Sequence, residues 1–254
     1  MRKRCVPILV IIVLFVVQGC GFEKSKNKDS IDETISKNYW AKHVGSRLRI
    51  IKDGDLSATI SLDSLQNIPN LYALGPVEGL NGEITAYNGI ISVATIDNGI
   101  PAFSTTSSNN KGIFLAYGSG THWKKIVLEH QVSGLDEVER FVQDHIKTSG
   151  LNEEIPFPFR IEGIASKMKY HIIYKNDTIP HNKKEHQKAK QKFELNNEDI
   201  KIVGFWADSI GEGVYTHPGM RTHLHFMDVE NHKSGHVDSV VLEKGAVLYL
   251  PLAQ

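Results

Sequence analysis

Three Asn-Gly pairs, Asn81-Gly82, Asn88-Gly89 and Asn98-Gly99, constrain the fold of this chain more than any other feature. Asn and Gly tolerate positive φ angles, which the two-residue turns of β-hairpins require. The segment LNGEITAYNGIISVATIDNGIPAF places short β-prone runs between these pairs. We therefore predict a meander of antiparallel strands here.

The remaining sequence carries further strand patterns and one helical pattern. The strand-like runs are RLRIIKDGDLSATISL, PFPFRIEGIASKMKYHIIYKN, IKIVGFWAD, THLHFMDV and GHVDSVVLEKGAVLYLPL. The run SGLDEVERFVQDHIKTSG has apolar residues at helical spacing, with Ser133 and Asp136 in capping-box positions and Gly150 at its end. We predict an α+β fold dominated by β-structure: two packed lobes of antiparallel or mixed sheet, about residues 39–150 and 151–254, with one long helix.

The N-terminal segment has the composition of a targeting signal. Residues 1–19 join the basic MRKR to the apolar run CVPILVIIVLFVV, which is shorter than the roughly 20 residues of a membrane-spanning helix. The ending Val17-Gln18-Gly19-Cys20 resembles the lipobox of bacterial lipoproteins, which implies cleavage before Cys20 and a lipid on it. Residues 20–38 are polar and indicate a tether. We expect a chain lipid-anchored to the cell membrane on its extracytoplasmic side, with a plain secretory signal peptide as the alternative.

Cysteine content and charge limit the remaining possibilities. Cys5 and Cys20 are the two cysteines, so a mature chain beginning at Cys20 contains no internal disulfide. Removing the leader leaves 26 basic against 29 acidic residues, a formal charge of about −3, which gives no indication of nucleic acid as a partner. The basic run HNKKEHQKAKQKFEL suits an acidic partner or, more simply, a solvated loop or short helix.

Three histidines form the strongest candidate site. His223 and His225 are two residues apart on a predicted strand, so their side chains share one face, roughly 6 to 7 Å apart. The segment DVENHKSG supplies a turn that would bring His236 opposite this pair. Three imidazoles with no cysteine match a catalytic zinc site, which keeps one position open. His217 and His232 are alternative ligands.

The other histidines are expected to be structural, and they are His43, His122, His130, His145, His171, His181 and His186.

Several segments in the family's order, across about residues 70 to 245, resemble bacterial alpha-acetolactate decarboxylases. The pattern His-x-His-Phe, a spacer and Gly-His-Val, preceded by Gly-Phe, resembles the zinc-site segment of that family. LNGEITAYNG resembles its Leu-x-Gly-Glu segment, which implies an active-site glutamate at Glu83. PFPFRIEG resembles its Phe-x-x-Arg-Ile-x-Gly strand, which implies an active-site arginine at Arg160.

The resemblance implies a carbon-carbon lyase that converts 2-acetolactate to acetoin through a metal-stabilised enediolate, with zinc in the cleft as the Lewis acid. Arg160 would hold the carboxylate that leaves, and Glu83 would orient the hydroxyl or relay a proton. The expected partners are a small 2-hydroxy-3-keto acid and a membrane surface reached through the lipid on Cys20. A homodimer is an open possibility, and no nucleic acid is expected.

The C-terminal segment departs from the family pattern. The family brings a further glutamate to the metal from near the end of the chain, whereas here the sequence after His236 is shorter and has no carboxylate beyond Glu243. Glu243, Glu230 or a water would have to take that place. Two alternatives stay open: a lipid-anchored, non-catalytic metal-binding protein on the same scaffold, and a cupin-like metalloenzyme using His-x-His and Glu230.

Overall fold

Antiparallel strands make up most of the computed structural model, which describes residues 38–105, 107–209 and 211–253. The expected leader and Cys20 lie outside the described residues. The strands are β1 (Tyr39–Val44), β2 (Ile60–Ser61), β3 (Leu71–Pro76), β4 (Glu83–Tyr87), β5 (Ile90–Asp97), β6 (Ile100–Ser104), β7 (Lys111–Gly112), β8 (Leu115–Gly120), β9 (Trp123–Val127), β10 (Val132–Ser133), β11 (Phe157–Ile173), β12 (Lys190–Leu195), β13 (Glu198–Trp206), β14 (Thr222–Met227), β15 (Ser234–Leu242) and β16 (Val247–Pro251). The helices are α1 (Leu135–Ile146) and α2 (Lys183–Ala189), with short 3-10 turns at Leu62–Leu65, Glu78–Leu80 and Lys147–Ser149 and a π-helical turn at Arg49–Asp53.

The predicted meander lies in a six-stranded sheet of order β1-β8-β3-β4-β5-β6. Asn88-Gly89 and Asn98-Gly99 have positive φ angles and connect β4 to β5 and β5 to β6, as predicted. Asn81-Gly82 has another role. A Cβ on Gly82 would lie 2.1 Å from the carbonyl oxygen of Ala94, so this glycine permits a close approach to β5 rather than a tight turn.

The second sheet is built around the long strand β11. Its order is β10-β15-β14-β13-β11-β16-β9, with β12 also paired to β11. The strand β15 additionally pairs with the C-terminal half of β11, so the sheet curls on itself. Every pairing between the named strands of the described ranges is antiparallel, which decides between the antiparallel and mixed alternatives.

The long helix is confirmed, although its start differs from the expected capping box. Ser133 belongs to β10, and its backbone N–H donates to the carboxylate of Glu137 at 2.7 Å. Helix α1 buries Val138, Val142 and Ile146 in the core of the second sheet, and the following turn ends at Gly150 with φ 73°. The helix therefore covers this sheet, as its apolar stripe indicates.

The boundary between the two sheets lies earlier than the expected lobe boundary near residue 150. Strands β9 and β10 and helix α1 belong with the second sheet, so the chain passes from one sheet to the other between Gly120 and Trp123. Tyr72 and Leu74 of the first sheet pack with Val203 and Phe205 of the second. This apolar contact joins the two sheets face to face.

The segment RLRIIKDGDLSATISL, expected to be strand-like, contains only the two-residue strand β2 near its end. Arg49–Asp53 is a π-helical turn that ends at Gly54 with φ 65°. The Arg49 guanidinium forms an ion pair with Asp55, which closes the turn. Within the residues described, no helix is long and apolar enough to cross a membrane.

Candidate active site

Six of the chain's twelve histidines line a small cavity of about 40 Å³ between the sheets. Its histidines are His171, His186, His217, His223, His225 and His236, and its other charged residues are Arg47, Glu83 and Lys190. Its apolar wall includes Ile50, Phe114 and Ile173. Such a concentration of imidazoles identifies the cavity as the candidate active site.

Strand register brings the three predicted histidines together. His223 and His225 project from the same face of β14, and His236 of β15 lies directly opposite His225. The ring centroids of His223 and His236 are 5.0 Å apart, and those of His225 and His236 are 5.3 Å apart. Burial lowers the pKa of His223 to about 3 and those of His225 and His236 well below their usual value. The imidazoles are therefore neutral, which is the form that binds metals.

The hydrogen bonds of two of these imidazoles leave a ligand atom free. The Nδ1 atom of His223 lies 3.2 Å from the carbonyl oxygen of Tyr215, to which it can only donate. The Nδ1 atom of His225 lies 3.0 Å from the hydroxyl of Thr85. The Nε2 atoms of both rings are buried without a hydrogen-bond partner. Orientation through one nitrogen with the other left open is the usual arrangement of metal-binding histidine, so these residues fit a metal ion.

His217 is a fourth imidazole in the same cluster. Its Nε2 atom lies 2.7 Å from Nε2 of His236. Ligand atoms of His217, His223 and His236 all lie within 4.8 Å of one another, and those of His171, His236 and Asp238 form a second such group. His225 belongs to neither of these groups, so the compact set with His217 and the sequence-predicted set with His225 are two alternative ways to complete a site around His223 and His236.

Glu83 reaches the cavity from β4 of the first sheet. Its Oε2 atom is 3.8 Å from Nε2 of His225, and its Oε1 atom is 3.9 Å from Nε2 of His171. The backbone N–H of Ile173 donates to Oε1 at 3.3 Å. Burial raises the pKa of Glu83 to about 8, an effect opposed by the Ile173 hydrogen bond and the charge of Lys190. A carboxyl group of this kind can hold or release a proton near neutral pH.

Comparison with known protein families identifies the family of this chain. The family model described as alpha-acetolactate decarboxylase matches residues 45–253. The chain belongs to the alpha-acetolactate decarboxylase family. Its enzyme class is therefore that of a carbon-carbon lyase, specifically a carboxy-lyase, and the family match decides against a cupin-like metalloenzyme.

Solved structures agree with this family at the level of the fold. Alpha-acetolactate decarboxylase from Bacillus subtilis strain 168 is 18% identical, with a TM-score of 0.66 over 84% of this chain and 85% of that one. A protein from Staphylococcus aureus, described as of unknown function and similar to alpha-acetolactate decarboxylase, is 17% identical, with a TM-score of 0.67 over 84% and 85%. The search of curated proteins by sequence gives no match.

Arg160 does not lie in the cavity of this decarboxylase family member, in contrast to the expectation from sequence. Its Nη1 atom donates to Glu162 at 2.6 Å and to the hydroxyl of Tyr87 at 2.8 Å. Its guanidinium lies 4.0 Å from the ring centroid of Tyr249 and 5.1 Å from that of Trp123. These contacts already satisfy the charge of Arg160, so the structure does not support it as the group that holds the substrate carboxylate.

The expected replacements for the C-terminal glutamate are also placed elsewhere. Glu243 accepts a hydrogen bond from Gln131 on the surface, and Glu230 lies in the exposed turn after β14. Asp238 instead lies beside the cluster, with its Oδ1 atom 2.9 Å from Nδ1 of His171 and 3.8 Å from Nδ1 of His236. The second carboxylate near the histidines therefore comes from β15.

Several residues of the cavity were missed by sequence reasoning, namely Arg47, His171, His186, Lys190 and the neighbouring Asp238. No motif marks these positions, and His171 and His186 were expected to be structural. One signal was available: His171 lies on the same strand as the Arg-Ile-x-Gly segment. It does not reveal which face His171 occupies.

Proposed function

We propose that this chain decarboxylates 2-acetolactate to acetoin with a zinc ion bound by His223, His225 and His236. The observation that carries the proposal is the pair of buried Nε2 atoms, on His223 and His225, that line the histidine cavity and have no hydrogen-bond partner. Three neutral nitrogen ligands favour zinc among the common metals, and neither of the chain's cysteines lies within the described residues. Bound zinc would supply a Lewis acid that stabilises developing negative charge on the substrate.

The protein groups around the histidines supply positioning and proton transfer. Glu83 is buried, faces the imidazoles and has a pKa of about 8, so it can hold the substrate hydroxyl or deliver a proton. His171 is oriented by Asp238 through its Nδ1 atom and faces Glu83 through its Nε2 atom. The apolar side chains of Ile50 and Phe114 limit the access of water. In the overall reaction one carbon–carbon bond breaks, carbon dioxide leaves, and one proton is taken up to give acetoin.

The direct test is incubation of the purified, zinc-loaded chain with racemic 2-acetolactate while acetoin formation and metal content are followed. We expect acetoin to form, and its formation to stop when a chelator removes the metal and to return when zinc is added back. A protein that binds zinc tightly and makes no acetoin would instead be the non-catalytic metal-binding alternative. Activity with iron or manganese but not zinc would contradict the assigned metal.

We also propose that Cys20 carries a lipid that anchors the chain to the membrane on the extracytoplasmic side. The support is the sequence Val17-Gln18-Gly19-Cys20 after the apolar run. We expect Cys20→Ala to abolish lipid labelling and to move the protein from the membrane to the soluble fraction. Wild-type protein that is processed but never acylated would make the leader a plain secretory signal.

A further inference from the structure

Two cations line the histidine cavity and have no assigned role in the reaction. Arg47 lies between β1 and the π-helical turn Arg49–Asp53. Lys190 is the first residue of β12, directly opposite Ile173 on β11, and comes from the basic run that looks like a solvated surface in the sequence. Arg47 lies in the segment that follows β1 of the first sheet, and Lys190 lies on β12 of the second sheet. The two positive charges therefore come from different sides of the cavity.

Neither cation is directly paired by a protein group that the structure describes, although Lys190 interacts at longer range with Asp238 and Glu83. Within the described residues, Arg47 and Lys190 form no ion pair and no side-chain hydrogen bond, and the Nε atom of Arg47 is buried without a partner. The nearby carboxylates are engaged elsewhere, because Glu83 faces His171 and His225 while Asp238 is bound to His171. Burial lowers the pKa of both cations, which reflects the cost of this arrangement. Both residues are half-buried, and a partly desolvated charge without a direct partner is unfavourable, so the site is suited to an anion that the substrate brings.

The charge balance of the cavity supports the same conclusion. Among the residues that line the cavity, Arg47 and Lys190 are the cationic side chains and Glu83 is the carboxylic acid. A divalent ion on the histidines would add further positive charge. Arg160, in contrast, is paired with Glu162 outside the cavity. Two unpaired cations are therefore the groups of the cavity that can balance an entering carboxylate.

We propose that Arg47 and Lys190 together bind the carboxylate of the 2-hydroxy-3-keto acid substrate. This inference rests on the proposed function and deepens it, because it assigns the carboxylate-binding side of the site. The guanidinium of Arg47 offers a planar pair of donors, and the ammonium of Lys190 offers a point charge. When the carbon–carbon bond breaks, the carboxylate leaves as neutral carbon dioxide and its electron pair remains on the substrate. The two cations thus contribute mainly to substrate binding and less to the transition state.

The test uses a small, unreactive acid as the probe. Binding of 2-hydroxyisobutyrate to the membrane-extracted protein, loaded with zinc in mild detergent, is measured by calorimetry. The variants are Arg47→Met, Lys190→Met and the double variant, with Lys192→Met as the matched control because Lys192 lies two residues further on β12 and is exposed. The neutral diol 2-methylpropane-1,2-diol tests whether each variant still folds and binds the hydroxyl group.

We expect each Met variant to weaken binding of the acid by roughly 10-fold to 100-fold, because each removes a charged hydrogen-bond donor. Binding of the diol, zinc content and the Lys192→Met protein should stay at wild-type values. With 2-acetolactate, KM should rise by a similar factor while kcat changes little. The charge-conserving variants Arg47→Lys and Lys190→Arg should recover much of the binding, and Gln variants replace any Met variant that unfolds.

Wild-type affinity for the acid in both Met variants would overturn the inference, as would a wild-type chain that does not bind the acid. A wild-type chain that binds the acid through these residues but produces no acetoin would refute the proposed reaction and support the anion site. Acetoin production with an unchanged KM in both Met variants would overturn the anion site alone.

Discussion

His225→Ala is expected to lower the affinity for zinc by on the order of 100-fold or more, since loss of even an outer-shell partner typically costs 10-fold to 100-fold. His223→Ala and His236→Ala should behave similarly. The physical reason is that each ring is neutral and buried, with one nitrogen facing the shared cavity. The measurement is zinc content after dialysis against a weak chelator, with His130→Ala as an exposed control.

The matched variant His217→Ala decides between the two ligand sets. If His225 is the ligand, His217→Ala retains zinc and His225→Ala loses it. The opposite result would assign the metal to His217, His223 and His236, the set whose ligand atoms already lie within 4.8 Å. Melting curves give an independent readout, because a bound ligand at 100 times its Kd stabilises the folded state by about 2.7 kcal/mol. Chelation should therefore lower the Tm of wild type and leave that of a true ligand variant unchanged.

Glu83→Gln is expected to lower kcat for acetoin formation by roughly 100-fold to 10,000-fold, the usual contribution of a positioned acid or base. Glutamine has nearly the shape of the protonated carboxyl group, and its side-chain oxygen can still accept from the backbone N–H of Ile173. We therefore expect the zinc content and the Tm to stay close to those of wild type. The measurements are initial rates, metal analysis and thermal melting of the same preparations.

The surface carboxylates Glu243 and Glu230 provide the controls for this substitution. Neither lines the cavity, so Glu243→Gln and Glu230→Gln should retain the wild-type rate. Wild-type kcat in Glu83→Gln would remove this residue from the proton-transfer step. A large fall in kcat for Glu230→Gln would show that the exposed turn takes part in the reaction.

The sequence was sufficient for features that depend on neighbouring residues. Asn88-Gly89 and Asn98-Gly99 form tight turns because their positive φ angles are local properties of those residues. The two-residue spacing of His223 and His225 likewise fixes their common face, since alternation along a strand is local. The turn before β15 then places His236 opposite His225.

Tertiary structure alone decided the position of Arg160. Strand pairing links Arg160 to Val203 and Val203 to His225, so all three side chains lie on one face of the sheet. Arg160 is nevertheless two strands away from His225, roughly 10 Å at the usual strand spacing. The intervening Val203 packs in the apolar contact between the sheets. A motif shows which residues share a strand, but it does not measure this separation.

Irregularities in strand pairing decided the rest of the site. The pairing of β11 with β15 shifts register between Ala165 and Lys167 and again between Lys169 and Tyr170. The first shift reverses the alternation along β11, so His171 faces the cavity although strict alternation from Arg160 predicts the opposite face. The second shift leaves Asp238 as the extra residue of β15, beside His171.

The sequence determined the strands, the hairpin turns and the spacing of the histidines, because these follow from local backbone preferences and a two-residue period. The bulges and the packing of two sheets determined which charged groups share the cavity, because they depend on contacts between residues far apart in the chain.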